Sequence, residues 1–245
     1  MCVLCQQKLN LVSRRTFGLF AMSSAALLLA SGADAKEKQP PKPENVLSPE
    51  AALKRLLRGN ERYVEGVMAR HDFKREREAL VGGQNPYAAV LSCADSRIAP
   101  EYAFDSSRGD LFVCRVAGNF ASDETIASLE YAVAVLGTPL ILVLGHDACG
   151  AVDATIKSLK DDKPLPGHLP SLVQAIAPAV KAVSSKGGDT LENAIRQNVI
   201  DNVAKLRSSS PILSAAVNDK KIQVAGGIYR LNSGKVELVS LNSSQ

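Results

Sequence analysis

Residues 139–150 read PLILVLGHDACG, and they are the most informative segment for the fold. It opens with a short continuous apolar run, which is typical of a parallel strand covered on both faces. His146 and Cys149 follow directly after the run. We therefore predict a buried strand over 139–145 that brings a histidine and a cysteine to the carboxyl edge of a sheet, where α/β proteins bind their ligands.

Two further apolar runs, YAAVLSC at 87–93 and LFVCR at 111–115, also predict buried strands. Residues 222–229 and 235–241 predict a closing hairpin. We therefore predict a single α/β domain over 48–245, with a mainly parallel central β-sheet flanked by helices and a C-terminal antiparallel strand or hairpin. Helical periodicity predicts helices at 48–64, 74–81, 122–136, 150–160, 169–185, 189–207 and 211–218.

The composition of the 245 residues is globular, since 46% are hydrophobic and 22% are charged. The net charge of +4 is spread without a basic block and the chain contains no Trp, so no nucleic-acid partner is expected. Residues 36–47 are rich in Pro and Lys and predict a flexible linker.

Residues 1–35 have the features of an export signal. Arg14 and Arg15 precede a mostly apolar run over 17–30, and residues 33–35 (ADA) form an A-x-A cleavage site. Paired arginines are typical of the route that exports folded proteins. The run is too short to span a bilayer, which takes about 20 residues. We expect a cleaved signal peptide and an exported, periplasmic domain without a stable membrane anchor; an uncleaved anchor is the alternative.

Thiol, imidazole and carboxylate side chains follow two of the predicted strands. Cys93, Asp95 and Arg97 form a C-x-D-x-R tract, and His146 and Cys149 form H-x-x-C. Parallel strands end at the same edge of a sheet, so the two tracts should converge. Two thiolates and an imidazole are a soft set that selects Zn²⁺, and three protein ligands leave a fourth position for water. We predict one Zn²⁺ per chain, bound by Cys93, His146 and Cys149.

The remaining cysteines and histidines leave alternatives open. A Cys93–Cys149 disulfide is the alternative in an exported protein, although the odd number of three cysteines after the predicted signal peptide argues against a disulfide scaffold. Cys114 is expected to fill the core, and a fourth zinc thiolate is the alternative. His71 and His168 lie in polar or Pro-rich surroundings and are interpreted as surface residues.

Four motifs resemble those of the β-class carbonic anhydrases: LSCADSR at 91–97, LFVCRVAGN at 111–119, SLEYAVAVLG at 128–137 and LGHDACG at 144–150. The resemblance extends from about residue 63 to the closing hairpin. It implies a parallel α/β sheet with helical arms and a homodimer or larger homo-oligomer. It also implies reversible hydration of CO2 to bicarbonate and a proton through zinc-bound hydroxide.

The same resemblance implies roles for further residues. Asp95 would pair with Arg97 and accept a hydrogen bond from the zinc-bound hydroxide, or would act as the fourth zinc ligand in a closed state. The residues implied in substrate binding are Gln84, Phe112, Ala117, Gly118 and Tyr131. The residues alone also allow an ordinary structural role for Gln84, Phe112 and Tyr131.

The chain departs from the family pattern at three positions. Val116 stands where Asn is more usual, which leaves the orientation of Arg115 open. Ala117 is smaller than the usual Val and would widen the pocket. Val90 stands where a Trp helps to form an inhibitory bicarbonate site in one subgroup. We therefore expect an accessible zinc without that switch.

Three other functions compete with carbonic anhydrase activity. The same scaffold could hydrolyse CS2 or COS, could hold structural zinc or bicarbonate without turnover, or could use Cys93 and Cys149 in thiol redox chemistry. The Asp95–Arg97 pair argues against a purely structural site, which needs no activating pair. Carbonic anhydrase activity is therefore the preferred prediction.

Overall fold

One five-stranded sheet forms the centre of residues 45–240, the part of the chain that the computed structural model describes. The strand order is β2-β1-β3-β4-β5; the first four strands are parallel and the last is antiparallel to its neighbour. This arrangement confirms the predicted single α/β domain and its antiparallel C-terminal strand. The strands are β1 (Ala88–Ser92), β2 (Leu111–Arg115), β3 (Leu140–His146), β4 (Gln223–Tyr229) and β5 (Val236–Ser240).

Helices connect and cover the strands. Their positions agree with the predicted ranges to within a few residues, except for α3, which the sequence analysis does not predict. A four-residue helix is too short to show helical periodicity. The helices are α1 (Pro49–Val64), α2 (Phe73–Ala79), α3 (Pro100–Ala103), α4 (Asp123–Ala134), α5 (Gly150–Lys160), α6 (Pro170–Val183), α7 (Thr190–Ser208) and α8 (Ile212–Asn218).

The two faces of the sheet pack into two separate hydrophobic clusters. Ala89 and Leu91 of β1 point into a cluster that includes residues of α4 to α8. Ala88 and Val90 point to the other face, where α1 and α3 pack. Every residue of β3 is buried, which is why its sequence is a continuous apolar run. Because alternate residues of a strand share a face, Cys93 continues the side covered by α4 to α8.

The contacts of the domain begin at Asn45, three residues before the predicted domain boundary at residue 48. Asn45, which falls in the predicted linker over 36–47, is buried. Its amide donates to the Asn85 carbonyl at 2.7 Å and to Asp110 Oδ1 at 3.0 Å, and its Oδ1 accepts from Arg55 at 2.6 Å. The predicted linker is therefore wrong at its C-terminal end, because buried hydrogen bonds hold Asn45 in place.

Several predictions concern residues outside this part of the chain. The export signal over 1–35, the linker residues 36–44 and the last residues, 241–245, lie outside the described range. The signal and its cleavage therefore stay predictions. Within residues 45–240, none of the helices has both the length and the apolar composition that crossing a bilayer requires.

Replacing Gly59 by alanine is expected to destabilise the domain. An added Cβ would overlap the backbone carbonyl oxygen of Phe104, which cannot move aside as a flexible side chain can. We expect a loss of about 2 kcal/mol or more in the free energy of unfolding, although alanine is the better helix former by about 1 kcal/mol.

Urea denaturation measures this loss, with Gly187→Ala as the control. A Cβ at Gly187 would have no heavy atom within 4 Å, so that change should stay within about 0.5 kcal/mol. Equal stability of the two variants would contradict the close contact between α1 and the turn after α3.

Candidate metal centre

Cys93, His146 and Cys149 meet at the carboxyl edge of the sheet. All three are buried, and their ligand atoms all lie within 4.8 Å of one another. Cys93 follows β1, His146 ends β3, and Cys149 is the residue before α5. Since β1 and β3 are parallel neighbours, their carboxyl ends lie side by side. The structure thus brings together the three side chains that the sequence predicts as metal ligands.

The hydrogen bonding of His146 prepares one ring nitrogen for a metal. Nδ1 lies 2.8 Å from the carbonyl oxygen of Asp147, so we assign the ring proton to Nδ1, which donates to that oxygen. Nε2 is buried and has no hydrogen-bond partner within the described residues. An unpaired buried nitrogen is costly, whereas a metal ion would use its lone pair. The donor set therefore fits a metal ion of the zinc type.

Asp147 is fixed by contacts with the region around the end of β4. Its amide donates to the Tyr229 carbonyl at 3.2 Å, and its carboxylate accepts from Arg230 Nη1 at 2.7 Å and from the Leu231 amide at 3.1 Å. These contacts hold the residue whose carbonyl orients His146. No sequence pattern singles out Asp147 or Arg230. Asp147 lies inside the H-D-A-C tract, but only the fold reveals its partners.

The turn between the two ligands of the second tract is conformationally unusual. Ala148 has a φ of +50°, in the left-handed region that alanine rarely adopts. Cys149 then serves as the N-cap of α5, so its sulfur lies at the positive end of the helix dipole. Such an end stabilises a thiolate, which is the form that binds metal.

The Cys93 and Cys149 thiols are hydrogen-bonded to each other, so the ionisation of one affects the other. The hydrogen bond from Cys149 lowers the pKa of Cys93 to about 4, and His146 and the Gly118 amide contribute in the same direction. The hydrogen bond to Cys93 and burial both raise the pKa of the Cys149 thiol above its ordinary value. Since zinc binds thiolates, metal loading must release the Cys149 proton.

Asp95 and Arg97 form a bidentate pair beside the three ligands. Asp95 Oδ1 accepts from Arg97 Nε at 2.9 Å, and Oδ2 accepts from Nη2 at 2.7 Å. These bonds hold the pKa of the Asp95 carboxyl well below its usual range. Asp95 Oδ2 also lies 3.8 Å from His146 Nε2, and Arg97 Nη2 donates to the Ala148 carbonyl at 3.3 Å. The predicted pair therefore lies next to the metal ligands.

Arg115 holds the C-x-D-x-R turn from the neighbouring strand. Its Nε donates to the Cys93 carbonyl at 2.9 Å, and its Nη2 donates to the carbonyls of Asp95 at 2.7 Å and Ile98 at 2.8 Å. The sequence left its orientation open because Val116 replaces the usual Asn. The structure assigns Arg115 to the support of this turn.

Gly118 contributes its backbone to the metal centre. Its amide donates to Cys93 Sγ at 3.3 Å, and its φ of +86° favours glycine. An added Cβ would lie only 2.5 Å from Ile176 Cδ1. The resemblance implies that Gly118 binds substrate, whereas within the chain its amide contacts a ligand sulfur.

Gln84 lies far from the three ligands within its own chain. It is exposed in the loop before β1, whereas Cys93 follows the other end of that strand. The five residues of β1 span about 16 Å at the usual rise per residue. A single chain therefore does not bring Gln84 to the metal centre.

Phe112 and Tyr131, two residues implied in substrate binding, contact each other. Their ring centroids are 6.4 Å apart, and the ring planes are inclined by 37°. Phe112 packs against the hydrophobic cluster that contains Cys93 and Cys149, while Tyr131 of α4 is largely exposed. Ala117 is half-buried beside the glycine that contacts Cys93.

The remaining predictions for cysteine and histidine concern Cys114, His71 and His168, which lie outside the group of three candidate ligands. Cys93, Cys114 and Cys149 are free, and Cys114 packs against the hydrophobic cluster outside the ligand group. Burial raises the pKa of the Cys114 thiol. His168 is exposed as predicted. His71 is partly exposed, with 18% of its side-chain surface accessible and Nδ1 placed 3.2 Å from a Glu76 oxygen.

The fold and this site define an α/β protein with a buried group of two cysteines and one histidine, suited to hold a metal ion, at the carboxyl edge of a parallel sheet. A family model described as carbonic anhydrase matches residues 88–236, which contain all three ligands. The chain belongs to the carbonic anhydrase family, in its β class, and is an enzyme of that family.

Individual relatives agree with this assignment. Carbonic anhydrase 2 of Mycobacterium tuberculosis (strain H37Rv) is 37% identical over 193 residues, which cover 78% of this chain and 93% of the relative. A carbonic anhydrase of Mycolicibacterium smegmatis is 38% identical over 194 residues, which cover 79% of this chain and 94% of the relative. The solved structure of a Coccomyxa β-carbonic anhydrase in complex with acetazolamide has a TM-score of 0.59 at 26% identity. The match covers 76% of this chain and 86% of the Coccomyxa chain.

Proposed function

We propose that the chain catalyses the reversible hydration of CO2 to bicarbonate and a proton, with one Zn²⁺ bound by Cys93, His146 and Cys149. The observation that carries this proposal is the buried ligand group, in which His146 Nε2 lacks a partner within the described residues and lies beside a charged carboxylate. Zinc, when bound, supplies a hydroxide nucleophile by lowering the pKa of water to about 7.

Asp95 would control the proton of the attacking hydroxyl. Its carboxylate is ionised because Arg97 holds its pKa low, so it can only accept a hydrogen bond. Oδ2 is the oxygen on the side of His146 Nε2. By accepting a hydrogen bond there, Asp95 would orient the hydroxyl so that an oxygen lone pair faces CO2. The bond to Arg97 would also have to break before Asp95 could become a metal ligand, which supports the expected open state.

The surroundings of the ligands suit an apolar substrate that becomes charged. Phe112 packs against the same hydrophobic cluster as the two ligand cysteines, and CO2 binds well to an apolar wall. Arg97, about half exposed, lies on the solvent side of Asp95. Its positive charge would favour the bicarbonate that forms.

A homo-oligomer would complete the site. The predicted contact of Gln84 with substrate requires a second copy of the chain, because Gln84 lies at the opposite end of β1 from Cys93 in its own chain. The β2 strand is an edge strand whose residues are only partly buried, and such edges favour pairing. We therefore propose a homodimer or larger homo-oligomer.

The proposed location is the bacterial periplasm. The paired arginines, the apolar run and the A-x-A site of residues 1–35 support export. Fractionation of cells that express the whole chain, with N-terminal sequencing of the product, tests this proposal. A mature protein beginning at Lys36 in the periplasmic fraction would support it, and an intact chain in the cytoplasmic fraction would overturn it.

Stopped-flow CO2 hydration tests the proposed activity. The purified zinc-loaded protein should turn over rapidly near pH 7 and should bind one zinc per chain by metal analysis. Activity confined to pH values above about 8 would instead indicate that Asp95 closes the site at lower pH. Dialysis against a chelator should abolish activity, and added zinc should restore it. Stoichiometric zinc without hydration would overturn the proposal.

A further inference from the structure

Polar side chains of α7 hold the loop that follows β2. Asn198 Nδ2 donates to the Gly118 carbonyl at 2.8 Å, and Asn202 Oδ1 accepts from the Ala121 amide at 2.7 Å. Asn202 Nδ2 in turn donates to Asn198 Oδ1 at 3.1 Å and to the Asn198 carbonyl at 2.7 Å. Both asparagines are buried, with exposures of 2% and 7%. Buried amides in such a network fix the groups they contact, because breaking a bond leaves a polar atom unpaired.

Gly118 connects this network to the metal centre. Its carbonyl accepts from Asn198, while its amide donates to Cys93 Sγ at 3.3 Å. Gly118 has no side chain that could anchor it, and its φ of +86° lies in a region open to glycine but strained for other residues. The hydrogen bond from Asn198 therefore sets where the Gly118 amide stands relative to the sulfur.

An amide that donates to a ligand sulfur changes what the metal experiences. The N–H group withdraws charge from the thiolate, so the sulfur donates less to the metal and the metal becomes a stronger Lewis acid. Two thiolates in the ligand set weaken the Lewis acidity of the metal, so a hydrogen bond to one of them would lower the pKa of the water that the metal binds. The contact is buried, so bulk water does not weaken it.

We propose that Asn198 is a positioning residue of the metal centre, which holds Gly118 so that its amide donates to the Cys93 sulfur and thereby sets the Lewis acidity of the bound metal. This inference rests on the proposed zinc site. Asn198 acts through Gly118 and is not one of the three candidate ligands.

The first test compares Asn198→Ala and Asn198→Gln in the cobalt-substituted protein. Without Asn198 to position it, the Gly118 amide should no longer donate to Cys93. The electron density on the Cys93 sulfur should then rise, and the thiolate-to-cobalt charge-transfer band should move to longer wavelength. The glutamine variant keeps an amide donor and should return the band toward the wild-type position. Lys205→Met is the matched control: Lys205 donates to the Ala121 carbonyl at 2.6 Å, on the same helix and loop, so its loss should leave the band unchanged.

Hydration kinetics give a second readout of the same variants. The alanine variant should lose about tenfold of its rate near pH 7 and recover part of it at higher pH, because a weaker Lewis acid ionises water at a higher pH. A shifted cobalt band in a chain that never hydrates CO2 would reject the proposed activity and keep the positioning role. A folded alanine variant with wild-type band and pH profile would overturn the positioning role alone.

A measurement on the wild-type protein remains decisive even where the alanine variant does not fold. With ¹¹³Cd in the site, the hydrogen bond should transmit a scalar coupling between the metal and the Gly118 amide proton. Observation of that coupling would support the contact. Its absence in the fully loaded protein would overturn the inference.

Discussion

Replacing Cys149 by serine is expected to remove the metal and the activity together. The Cys149 sulfur is buried at the N-terminus of α5, within 4.8 Å of the other two ligand atoms. A serine hydroxyl is a harder, shorter donor that stays protonated, so only two soft ligands would remain. We expect zinc affinity to fall by more than about 100-fold, since even the partners of ligands commonly contribute 10- to 100-fold. CO2 hydration should fall by at least the same factor.

Competition with a chromogenic chelator measures the affinity, and stopped-flow hydration measures the activity. Cys114→Ser is the matched control, because Cys114 lies on β2 outside the ligand group. That variant should keep one zinc per chain and nearly full activity, with a stability loss of about 1 kcal/mol. Stoichiometric zinc and wild-type activity in Cys149→Ser would reject Cys149 as a ligand.

Replacing Asp95 by asparagine should separate metal binding from catalysis. Asp95 is paired with Arg97 and is not one of the three ligands, so zinc should bind with nearly unchanged stoichiometry. Asparagine has almost the same shape but lacks the negative charge, and its NH2 group donates where the carboxylate accepts. The proton of the attacking hydroxyl would lose its acceptor, and we expect the hydration rate to fall by about 100-fold or more.

The control for this variant is Asp153→Asn. Asp153 is an exposed carboxylate on α5 that pairs with Lys157 at 2.7 Å, and such surface pairs contribute less than about 1 kcal/mol. It should hydrate CO2 at the wild-type rate. Full activity of the zinc-loaded Asp95→Asn protein would mean that the Asp95–Arg97 pair is only a surface ion pair.

The fold was largely predictable because the strands that form its centre are buried on both faces. The run over 139–145 predicts β3 to within one residue at each end, since a strand with no exposed face needs apolar residues throughout. Asn45 shows where such reasoning fails. It lies in a Pro- and Lys-rich stretch, but a distant Asp110 and a helical Arg55 bury it. Composition describes the local chain and carries no information about those partners.

The same limit explains why the sequence misses the residues that support the metal centre. Asn198 lies in the polar part of a helix, where asparagine is ordinarily read as solvent-facing, and Arg230 follows a strand in the closing hairpin. Neither has a local pattern that connects it with Cys93 or His146. Asn198 reaches Cys93 through the backbone of Gly118. Arg230 binds the Asp147 carboxylate and so holds the backbone carbonyl that orients His146. Such backbone links leave no mark in a sequence.

The residue types of the candidate ligands and their position at the ends of two parallel strands were readable from the sequence, because ligand chemistry belongs to the side chain and strand ends are marked by where apolar runs stop. The packed fold was needed to show which nitrogen of His146 contacts a backbone carbonyl, which amide donates to Cys93, and that Gln84 lies at the opposite end of β1. These features depend on directions and distances between elements far apart in the chain, which are set when the helices and strands pack together.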